Sequence, residues 1–369
     1  MIIWIRDVFT AHFILNFCLC FVEGSHQERA MFRRRYHGSC LAVAFTVVCV
    51  PLIFIYLGYY IGSLFLPPPP RIPAPGIVQD MSLLNYSWYN THNLTITFAG
   101  GLGNQMFQYA ALYGISKANG FRPLMCGQTV VGRVFRQLKV RRVEDEVALV
   151  TKSYGVYLER MSNAFDSRAL SLNFMRNIVL DGFYQSWRYF DHVRSDIRKQ
   201  FQFRSSTLSI INNFLSDSAK LLQSDEPCVF VGIHVRRGDL LDSYNVKSGY
   251  TVADASYFSR AVQYFGKKFH RVVFVVCSDD MVWSTSNIRS GLPNVAVVFS
   301  QFSSLSPEFD LALLTHCNHS IITVGSFGWW AAWLAGGETV YFREFPRLGS
   351  SLRESFRMND YYLPRWIAM

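Results

Sequence analysis

The amino-acid sequence predicts an α/β fold in which helices cover a parallel, doubly wound sheet. Short apolar runs alternate with helical segments along the carboxy-terminal part of the chain, and polar or charged residues stand directly after several of these runs. Half of the 369 residues are hydrophobic, which allows a large core, and the length suits about two domains.

The amino-terminal segment has the pattern of a membrane anchor. Residues 38–66 contain no charged side chain and exceed the roughly 20 apolar residues that span a bilayer. Arg33, Arg34 and Arg35 precede this segment, so the positive-inside rule assigns residues 1–37 to a cytoplasmic tail and the following chain to the lumen. The sequence therefore predicts a single transmembrane helix in type II orientation.

Residues 1–30 are open to three interpretations. Val8 to Val22 is mostly apolar but is interrupted by His12 and Asn16. It is a signal-peptide core, a second membrane contact or a non-native extension. A start at Met31 would place a short basic tail directly before the anchor, and we favour that arrangement.

Residues 67–93 are predicted to form a Pro-rich stem, because Pro67 to Pro75 favours an extended, semi-rigid spacer. Three sequons predict N-glycosylation at Asn85, Asn93 and Asn318. The third lies just before a predicted buried strand, whose burial would exclude a glycan.

The lumenal part divides into two predicted domains, residues 94–224 and residues 225–369. In the first, a short strand from Leu94 to Ala99 leads through a glycine turn into a helix that ends at Asn119. A dinucleotide fingerprint would need a third glycine where Met106 stands. The second domain has apolar runs at Cys228 to Val235, Val272 to Cys277, Val295 to Phe299, Ile321 to Val324 and Thr339 to Phe342.

Net charge favours an anionic small ligand over nucleic acid. The chain carries a formal charge of +10, most of it after residue 37. Its lysines and arginines are dispersed apart from short pairs, which is not the pattern of a nucleic-acid surface.

A strand that ends in Arg236-Arg237-Gly238-Asp239 predicts a phosphate site. Ligands of open α/β sheets bind at the carboxyl ends of strands, and a guanidinium fork fits a diphosphate. Because side chains alternate along a strand, His234 and Arg236 should share one face and Arg237 should lie on the other.

Two further strand ends carry suitable chemistry. Asp279 can accept two hydrogen bonds from the N1 and amino groups of guanine, or it caps a helix. Ser326 opens a helix whose free amides favour phosphate, and Gly325-Ser326-Phe327-Gly328 lacks the spacing of a serine-hydrolase elbow. The tryptophans at 329, 330 and 333 either stack on a base or sugar or belong to the core.

Four motifs together resemble the α1,2-fucosyltransferases, glycosyltransferase family eleven. They are Gly100 to Ala110, His234 to Asp239, Ser278 to Asp280 and Ser326 to Trp333, and they cover roughly Thr95 to Val340. The resemblance implies a GT-B architecture, two Rossmann-like halves facing a cleft, with the acceptor on residues 94–224 and GDP-fucose on residues 225–369. It also implies a Golgi membrane enzyme with a lumenal catalytic domain.

The resemblance implies individual roles as well. Arg236 would bind the β-phosphate of GDP-fucose and His234 the guanosine side, with Arg237 supporting the loop or the sugar. Ser326 and Phe327 would complete the donor site. Asn104 is either a helix cap or an amide donor to the sugar and leaving phosphate, and the similar Gly-x-x-Gly-Asn-Gln turn of protein O-fucosyltransferases favours the second role.

No Asp-x-Asp pair follows a strand, and Glu144-Asp145-Glu146 has the pattern of a solvated ion-pair cluster. We therefore expect no metal and no cofactor besides the donor substrate, with arginine and helix termini offsetting the leaving-group charge. Asp239 and Asp242 are candidate bases for a single inverting displacement, although a dissociative path requires no strong base.

Cysteine usage leaves the redox state open. The lumen permits disulfides between Cys126, Cys228, Cys277 and Cys317. Cys228 and Cys277 flank apolar runs and are equally compatible with buried thiols. The run His316-Cys317-Asn318-His319 lacks a closed set of zinc ligands.

The sequence thus predicts transfer of L-fucose from GDP-fucose to the 2-hydroxyl of a terminal galactose on a glycan. The alternatives are a fucosyltransferase of another linkage or acceptor, and a catalytically silent, membrane-anchored sugar-binding protein. The acceptor glycan, the base, the disulfide pairing and the oligomeric state stay open at this point.

Overall fold

The computed structural model describes residues 92–143, 154–172, 176–223, 226–302 and 306–369. The predicted tail, anchor and nearly all of the stem, together with Asn85 and Glu144-Asp145-Glu146, lie outside these ranges. Within them, no helix has both the length and the apolar character needed to cross a membrane.

Two parallel sheets organise the described chain. The first contains β1 (Asn93–Ile96), β2 (Arg122–Cys126), β3 (Arg141–Val143), β4 (Gly155–Leu158) and β5 (Ile178–Asp181), in the order β3-β2-β1-β5-β4. The second contains β6 (Val229–Val235), β7 (Val272–Ser278), β8 (Val295–Phe299), β9 (His319–Ile322), β10 (Thr339–Tyr341) and β11 (Ile367–Ala368), in the order β11-β10-β9-β6-β7-β8. Every neighbouring pair is parallel, which confirms two parallel-sheet α/β halves.

Helices connect these strands. They are α1 (Leu102–Asn119), α2 (Val130–Val134), α3 (Arg194–Gln200), α4 (Ser205–Lys220), α5 (Ser243–Ser248), α6 (Ala255–Lys268), α7 (Met281–Asn287), α8 (Pro307–Thr315), α9 (Ser326–Ala335), α10 (Ser351–Ser355) and α11 (Met358–Tyr361). Short 3₁₀ turns occupy Ser167–Leu170, Trp187–Tyr189, Asp191–Val193 and Gly238–Leu241.

The order of the second sheet, taken from β8 to β11, is the doubly wound order 3-2-1-4-5-6. Its topological switch point lies between β6 and β9, which pair in register from Val231 with His319 to His234 with Ile322. Ligands of such sheets bind in the crevice at the carboxyl ends of the two switch-point strands. The fold therefore directs a ligand to the residues after Val235 and Ile322.

The central strand β7 explains why the core of the second half is so apolar. All seven residues of Val272–Ser278 are buried, because helices cover both faces of a parallel sheet. The continuous run of valine and phenylalanine is the sequence pattern that such a strand requires.

Helix α1 ends as predicted but begins earlier than expected. Gly120 adopts a left-handed φ of 73°, which terminates the helix after Asn119. Gly101 is the residue before its first turn, so Asn104 lies inside the helix. The helix-cap interpretation of Asn104 is therefore wrong.

The two halves share an aromatic core between α1 and α9. The ring of Phe107 lies 4.5 Å from that of Trp329 and 5.1 Å from that of Trp330, measured between centroids. Trp329 and Trp330 are 0% exposed and Trp333 is 3% exposed. The stacking interpretation of these tryptophans is wrong, because no face of theirs is available to a ligand.

The carboxy-terminal segment crosses back onto the first half. Asp360 accepts a hydrogen bond from Arg188 at 2.8 Å, and its carbonyl accepts one from the Ser186 hydroxyl at 2.7 Å. Among the described residues, Cys228, Cys277 and Cys317 are free thiols. Cys277 and Cys317 are buried and Cys228 is half-buried, so for Cys228 and Cys277 the buried-thiol interpretation fits better than a disulfide.

Candidate active site

A cavity of about 710 Å³ lies where the carboxyl edges of both sheets meet. Its wall combines the β1–α1 turn and the loop after β5 with the ends of β6, β7 and β9. Among the predicted site residues, the lining includes Asn104, His234, Arg236, Asp239, Asp279, Ser326 and Phe327.

Arg236 stands at the end of β6 with its side chain 37% exposed. Its backbone N–H donates to Thr323 Oγ1 at 2.9 Å, which fixes the strand end against the residue that follows β9. Its guanidinium donates to Asp239 Oδ1 at 2.5 Å and to Asp279 Oδ2. Two carboxylates thus orient a planar cation in the cavity, where it can meet an anionic ligand.

Arg237 points the other way, as strand alternation requires. Its guanidinium lies 3.8 Å from the centroid of the Trp283 ring and donates to Asp280 at 3.3 Å and to the Ala253 carbonyl at 3.2 Å. The side chain is only 12% exposed. Arg237 does not line the cavity, so the structure separates the two neighbouring arginines into a cavity residue and a packed, cation–π-bound residue.

The two aspartates after β7 also separate. Asp280 caps α7 by accepting from the Trp283 amide at 3.1 Å. Asp279 faces the cavity and accepts from the Arg237 amide at 2.9 Å as well as from Arg236. The helix-cap alternative therefore applies to Asp280 and not to Asp279.

His234 is buried beside the first turn of α9. Its ring centroid lies 5.2 Å from that of Phe327, and its Nδ1 has no hydrogen-bond partner in the described part of the chain. A Cβ on Gly328 would lie 2.5 Å from Nδ1, so only glycine fits there. Burial lowers the pKa of His234 to about 4, and the imidazole is neutral at physiological pH.

Two helix amino termini converge on the cavity. Helix α9 follows Gly325, whose φ of 96° favours glycine, and α1 follows Gly101. Neither first turn receives a capping side chain. The two turns are so close that a Cβ on Gly103 would lie 2.6 Å from the Phe327 nitrogen. Uncapped amides and aligned helix dipoles favour an anion at this point.

Asn104 joins the two halves at the same place. Its Oδ1 accepts from Ser326 Oγ at 2.5 Å and from Gln185 Nε2 at 2.9 Å. Both bonds fix the amide orientation and leave the Nδ2 group as a donor. A Cβ on Gly100, whose φ is 73°, would lie 2.3 Å from that Nδ2, so the glycine turn makes room for the amide.

The other polar residues of the α1 motif have structural tasks. Gln105 accepts from the Val130 amide at 2.7 Å, and Gln108 accepts from the Ala99 amide at 3.0 Å. Gln108 also donates to the Thr97 and Gly182 carbonyls. These buried amides hold the turn before α1 against the neighbouring segments.

The two candidate bases are not equivalent. Asp239 lines the cavity with its side chain 57% exposed, although it is paired with Arg236. Asp242 precedes α5 and does not line the cavity.

Gln185 and Asp310 are polar cavity residues that have no clear signal in the sequence. Gln185 follows β5 in a region without a recognised motif. Asp310 stands in the first turn of α8, where an acidic residue is ordinary helix chemistry. In the structure Asp310 is buried, lines the cavity and accepts from the Ser300 hydroxyl at 2.5 Å.

The described sequons differ in exposure. Asn93 begins β1, and the next two residues of its sequon, Leu94 and Thr95, are buried. Asn318 is exposed, and its Oδ1 accepts from the Phe230 amide at 2.8 Å. Glycosylation of either stays a prediction. Within the ranges given above, no three His, Cys, Asp or Glu side chains are grouped in a way that could hold a metal ion.

Comparison with known proteins adds independent findings. The model of the family Glycosyl transferase family 11 matches residues 83–369. The galactoside 2-alpha-L-fucosyltransferase SEC1 of Bos taurus is 34% identical over 278 residues, covering 74% of this chain and 73% of that protein. The galactoside alpha-(1,2)-fucosyltransferase 1 of Homo sapiens is 30% identical over 367 residues, covering 92% and 96%. A solved structure of Arabidopsis thaliana FUT1 with GDP aligns with 68% of this chain and 70% of that one, at 12% identity and a TM-score of 0.44.

Proposed function

The chain belongs to glycosyl transferase family 11, and from this premise we propose that it transfers L-fucose from GDP-fucose to the 2-hydroxyl of a terminal galactose on a glycan. The product would carry an α1,2 linkage. The observation that carries the proposal is the position of Arg236: an oriented guanidinium at the switch point of a doubly wound sheet, in one cavity with the uncapped amino terminus of α9.

The donor would lie along the second half, in a GT-B arrangement. Arg236 binds the β-phosphate, and the first amides of α9, at Ser326 and Phe327, bind the diphosphate from the other side. The neutral ring of His234 contacts the guanosine side. Arg237, which is packed on Trp283, supports the strand end without touching the donor.

Two carboxylates are available to the N1 and amino groups of guanine. Asp279 is the residue predicted from the sequence, and both of its oxygens already accept from the Arg236–Arg237 segment. Asp310 is a second candidate, because it is buried in the cavity wall and its partners are the Ser300 hydroxyl and the Cys277 thiol, neither of which is a cation. Replacement of each aspartate by asparagine distinguishes the two assignments.

Departure of GDP builds negative charge on the β-phosphate, and the surrounding groups are arranged to meet it. Arg236 supplies a fixed positive charge, α9 supplies its dipole, and Asn104 supplies the Nδ2 donor. The galactose hydroxyl then attacks C1 of fucose from the opposite face, which inverts the anomeric configuration. Asp239 is the better-placed of the two candidate bases because it lines the cavity, while Asp242 does not.

The reaction is proposed to need no metal ion. The cation and helix dipole named above take the place of a bridging divalent ion in offsetting the diphosphate charge. Activity should therefore survive treatment with EDTA. Loss of activity that Mn²⁺ alone restores would refute this part of the proposal.

The chain is further proposed to be a type II Golgi membrane protein, on the strength of Arg33 to Arg35 before residues 38–66. In sealed microsomes, protease should remove only the short cytoplasmic tail. Digestion of the part of the chain after residue 66 from the cytosolic side would contradict this topology.

The decisive experiment is incubation of the protein with GDP-fucose and a panel of β-galactosides, followed by linkage mapping of the product. An α1,2-linked fucose on galactose is the expected product. A different linkage or acceptor would favour another fucosyltransferase activity, and sugar binding without transfer would favour a catalytically silent binding protein.

A further inference from the structure

Glu159 directly follows β4 and turns its carboxylate toward the loop after β5. Its Oε2 accepts from the Phe183 amide at 2.7 Å, and the amides of Tyr184 and Gln185 also attract the carboxylate. The other oxygen, Oε1, is buried without a hydrogen bond of good geometry in the described part of the chain. Successive amides around one anion form a backbone anion nest. Here the chain itself supplies the anion.

The loop that surrounds this carboxylate has a strained backbone. Gly182 has a φ of 143° and Tyr184 a φ of 51°, which is a rare conformation for a bulky residue. A Cβ on Gly182 would lie 2.3 Å from the Glu159 Cβ. Such conformations persist only where the surroundings hold them, and they cluster at functional sites.

The same loop reaches the proposed reaction centre. Gln185 donates to Asn104 Oδ1 at 2.9 Å and accepts from Asn163 Nδ2 at 2.8 Å. Phe183, Gln185 and Asn163 line the cavity, whereas Glu159 does not. Glu159 is thus separated from the reacting groups by one loop, whose amides it holds.

We propose that Glu159 is a positioning residue for fucosyl transfer, whose carboxylate holds residues 182–185 so that Gln185 orients Asn104. The inference rests on the proposed function, because the step that it controls is transfer at Asn104. Glu159 takes no part in donor binding or base catalysis, so positioning of the loop would be the function of this buried carboxylate.

The groups around Glu159 make its interaction with residues 182–185 sensitive to pH. Burial raises the pKa of Glu159 to about 7 against the opposing effect of the three amides, and the charge of Asp181 raises it further. The phenols of Tyr184 and Tyr189 lie nearby, with Tyr157 beside them, and burial raises the pKa of each, so they stay neutral. Protonation of Glu159 places an O–H among amide donors and weakens its hold on the loop.

The test is the pH profile of kcat for the full-length Glu159→Gln variant, from about pH 5 to pH 9. The wild-type protein should lose activity as the pH falls through about 7, following the pKa of Glu159. The variant should lack this inflection and should be about 10- to 100-fold slower at the alkaline end, the scale of a small misplacement of catalytic groups. Its affinity for GDP should stay within about twofold of wild type, since the donor groups lie on the other half.

Asp181→Asn is the matched control. It removes the neighbouring charge that raises the pKa of Glu159, so the inflection should move to lower pH and persist. An unchanged inflection in both variants, or a loss confined to GDP affinity, would overturn the inference. If Glu159→Gln does not fold, the shift in Asp181→Asn decides. Absence of fucose transfer by the wild-type protein would instead refute the proposed function and is seen before any variant is compared.

Discussion

At the carboxyl edge of the second sheet the cavity wall carries charged side chains, whereas at the edge of the first sheet it carries glycines and neutral amides. Arg236, Asp239 and Asp279 form a linked set of charges on one side. Asn104 and Gln185 form a linked pair of amides on the other. Stabilising a departing diphosphate requires fixed charge, while placing two sugars requires shape and neutral hydrogen bonds. The second half therefore supplies the fixed charge, whereas the first half supplies shape and neutral hydrogen bonds, including that of the Asn104 amide.

The largest effect should come from Arg236→Lys. Lysine keeps the charge but loses the planar fork, so it cannot grip two phosphate oxygens as charge builds on GDP. We expect kcat to fall about 100-fold or more, the usual scale for loss of a transition-state donor. Steady-state kinetics with GDP-fucose measure this directly.

Arg237→Lys is the control for the neighbouring position. Its side chain packs on Trp283 outside the cavity, so the variant should lose thermal stability with kcat close to wild type. A collapse of turnover in Arg237→Lys, with Arg236→Lys nearly normal, would show that the other face of β6 binds the phosphate.

Gly103→Ala should break the junction between the halves. The added methyl group would lie 2.6 Å from the Phe327 nitrogen and 2.7 Å from the Ser326 carbonyl carbon, both of them backbone atoms that cannot give way easily. Overpacking of this kind costs about 1–3 kcal/mol, which thermal unfolding would detect. Gly101→Ala is the matched control, since nothing lies within 4 Å of its Cβ position. Equal melting temperatures for both variants would mean that the contact between α1 and α9 relaxes freely.

The sequence predicts the features that depend on local residue pattern, and it does not predict those that depend on tertiary contacts. The run Val295 to Phe299 was predicted as a strand with the bounds that β8 has, and the alternation at Arg236 and Arg237 correctly separated their faces. Arg141-Arg142-Val143 shows no strand pattern, and it becomes β3 only because β2 offers a partner.

The same limit applies to the site. Asp279 and Ser326 could be selected because each lies two positions after the end of a predicted strand. Asp310 could not, because its burial depends on how α8 packs against β6 and β7. The role of Gln185 depends on a contact across 81 positions of the chain.

Replacement of Asp279 and of Asp310 by asparagine, one at a time, should separate recognition of the guanine base from orientation of Arg236. We expect Asp310→Asn to raise the KM for GDP-fucose about tenfold with kcat retained, the cost of one charge-assisted hydrogen bond. Asp279→Asn should lower kcat as well, because it also releases Arg236. Inhibition by GDP and ADP should be compared in both variants. If only Asp279→Asn loses the preference for GDP, Asp279 contacts guanine and Asp310 has a packing role.

The smallest effect concerns stability. Each half buries a titratable group, and the two groups change the free energy of unfolding with pH in opposite directions. The pKa of His234 is lowered to about 4, so the stability that its neutral form contributes is lost as the pH falls from about 6.5. The pKa of Glu159 is raised to about 7, so its contribution is present at acid pH and lost as the pH rises through 7. Between about pH 5 and pH 6 the unfolded chain binds a proton at His234 while the folded chain binds one at Glu159. The two slopes should nearly cancel. Chemical denaturation measures this as the slope of the free energy of unfolding against pH. In Glu159→Gln the slope should become more positive by about 1.4 kcal/mol per pH unit, so that acid is more destabilising. In His234→Gln the slope should change by a similar amount in the opposite direction. Slopes that change in the same direction in both variants would show that the two halves do not carry opposed titrations.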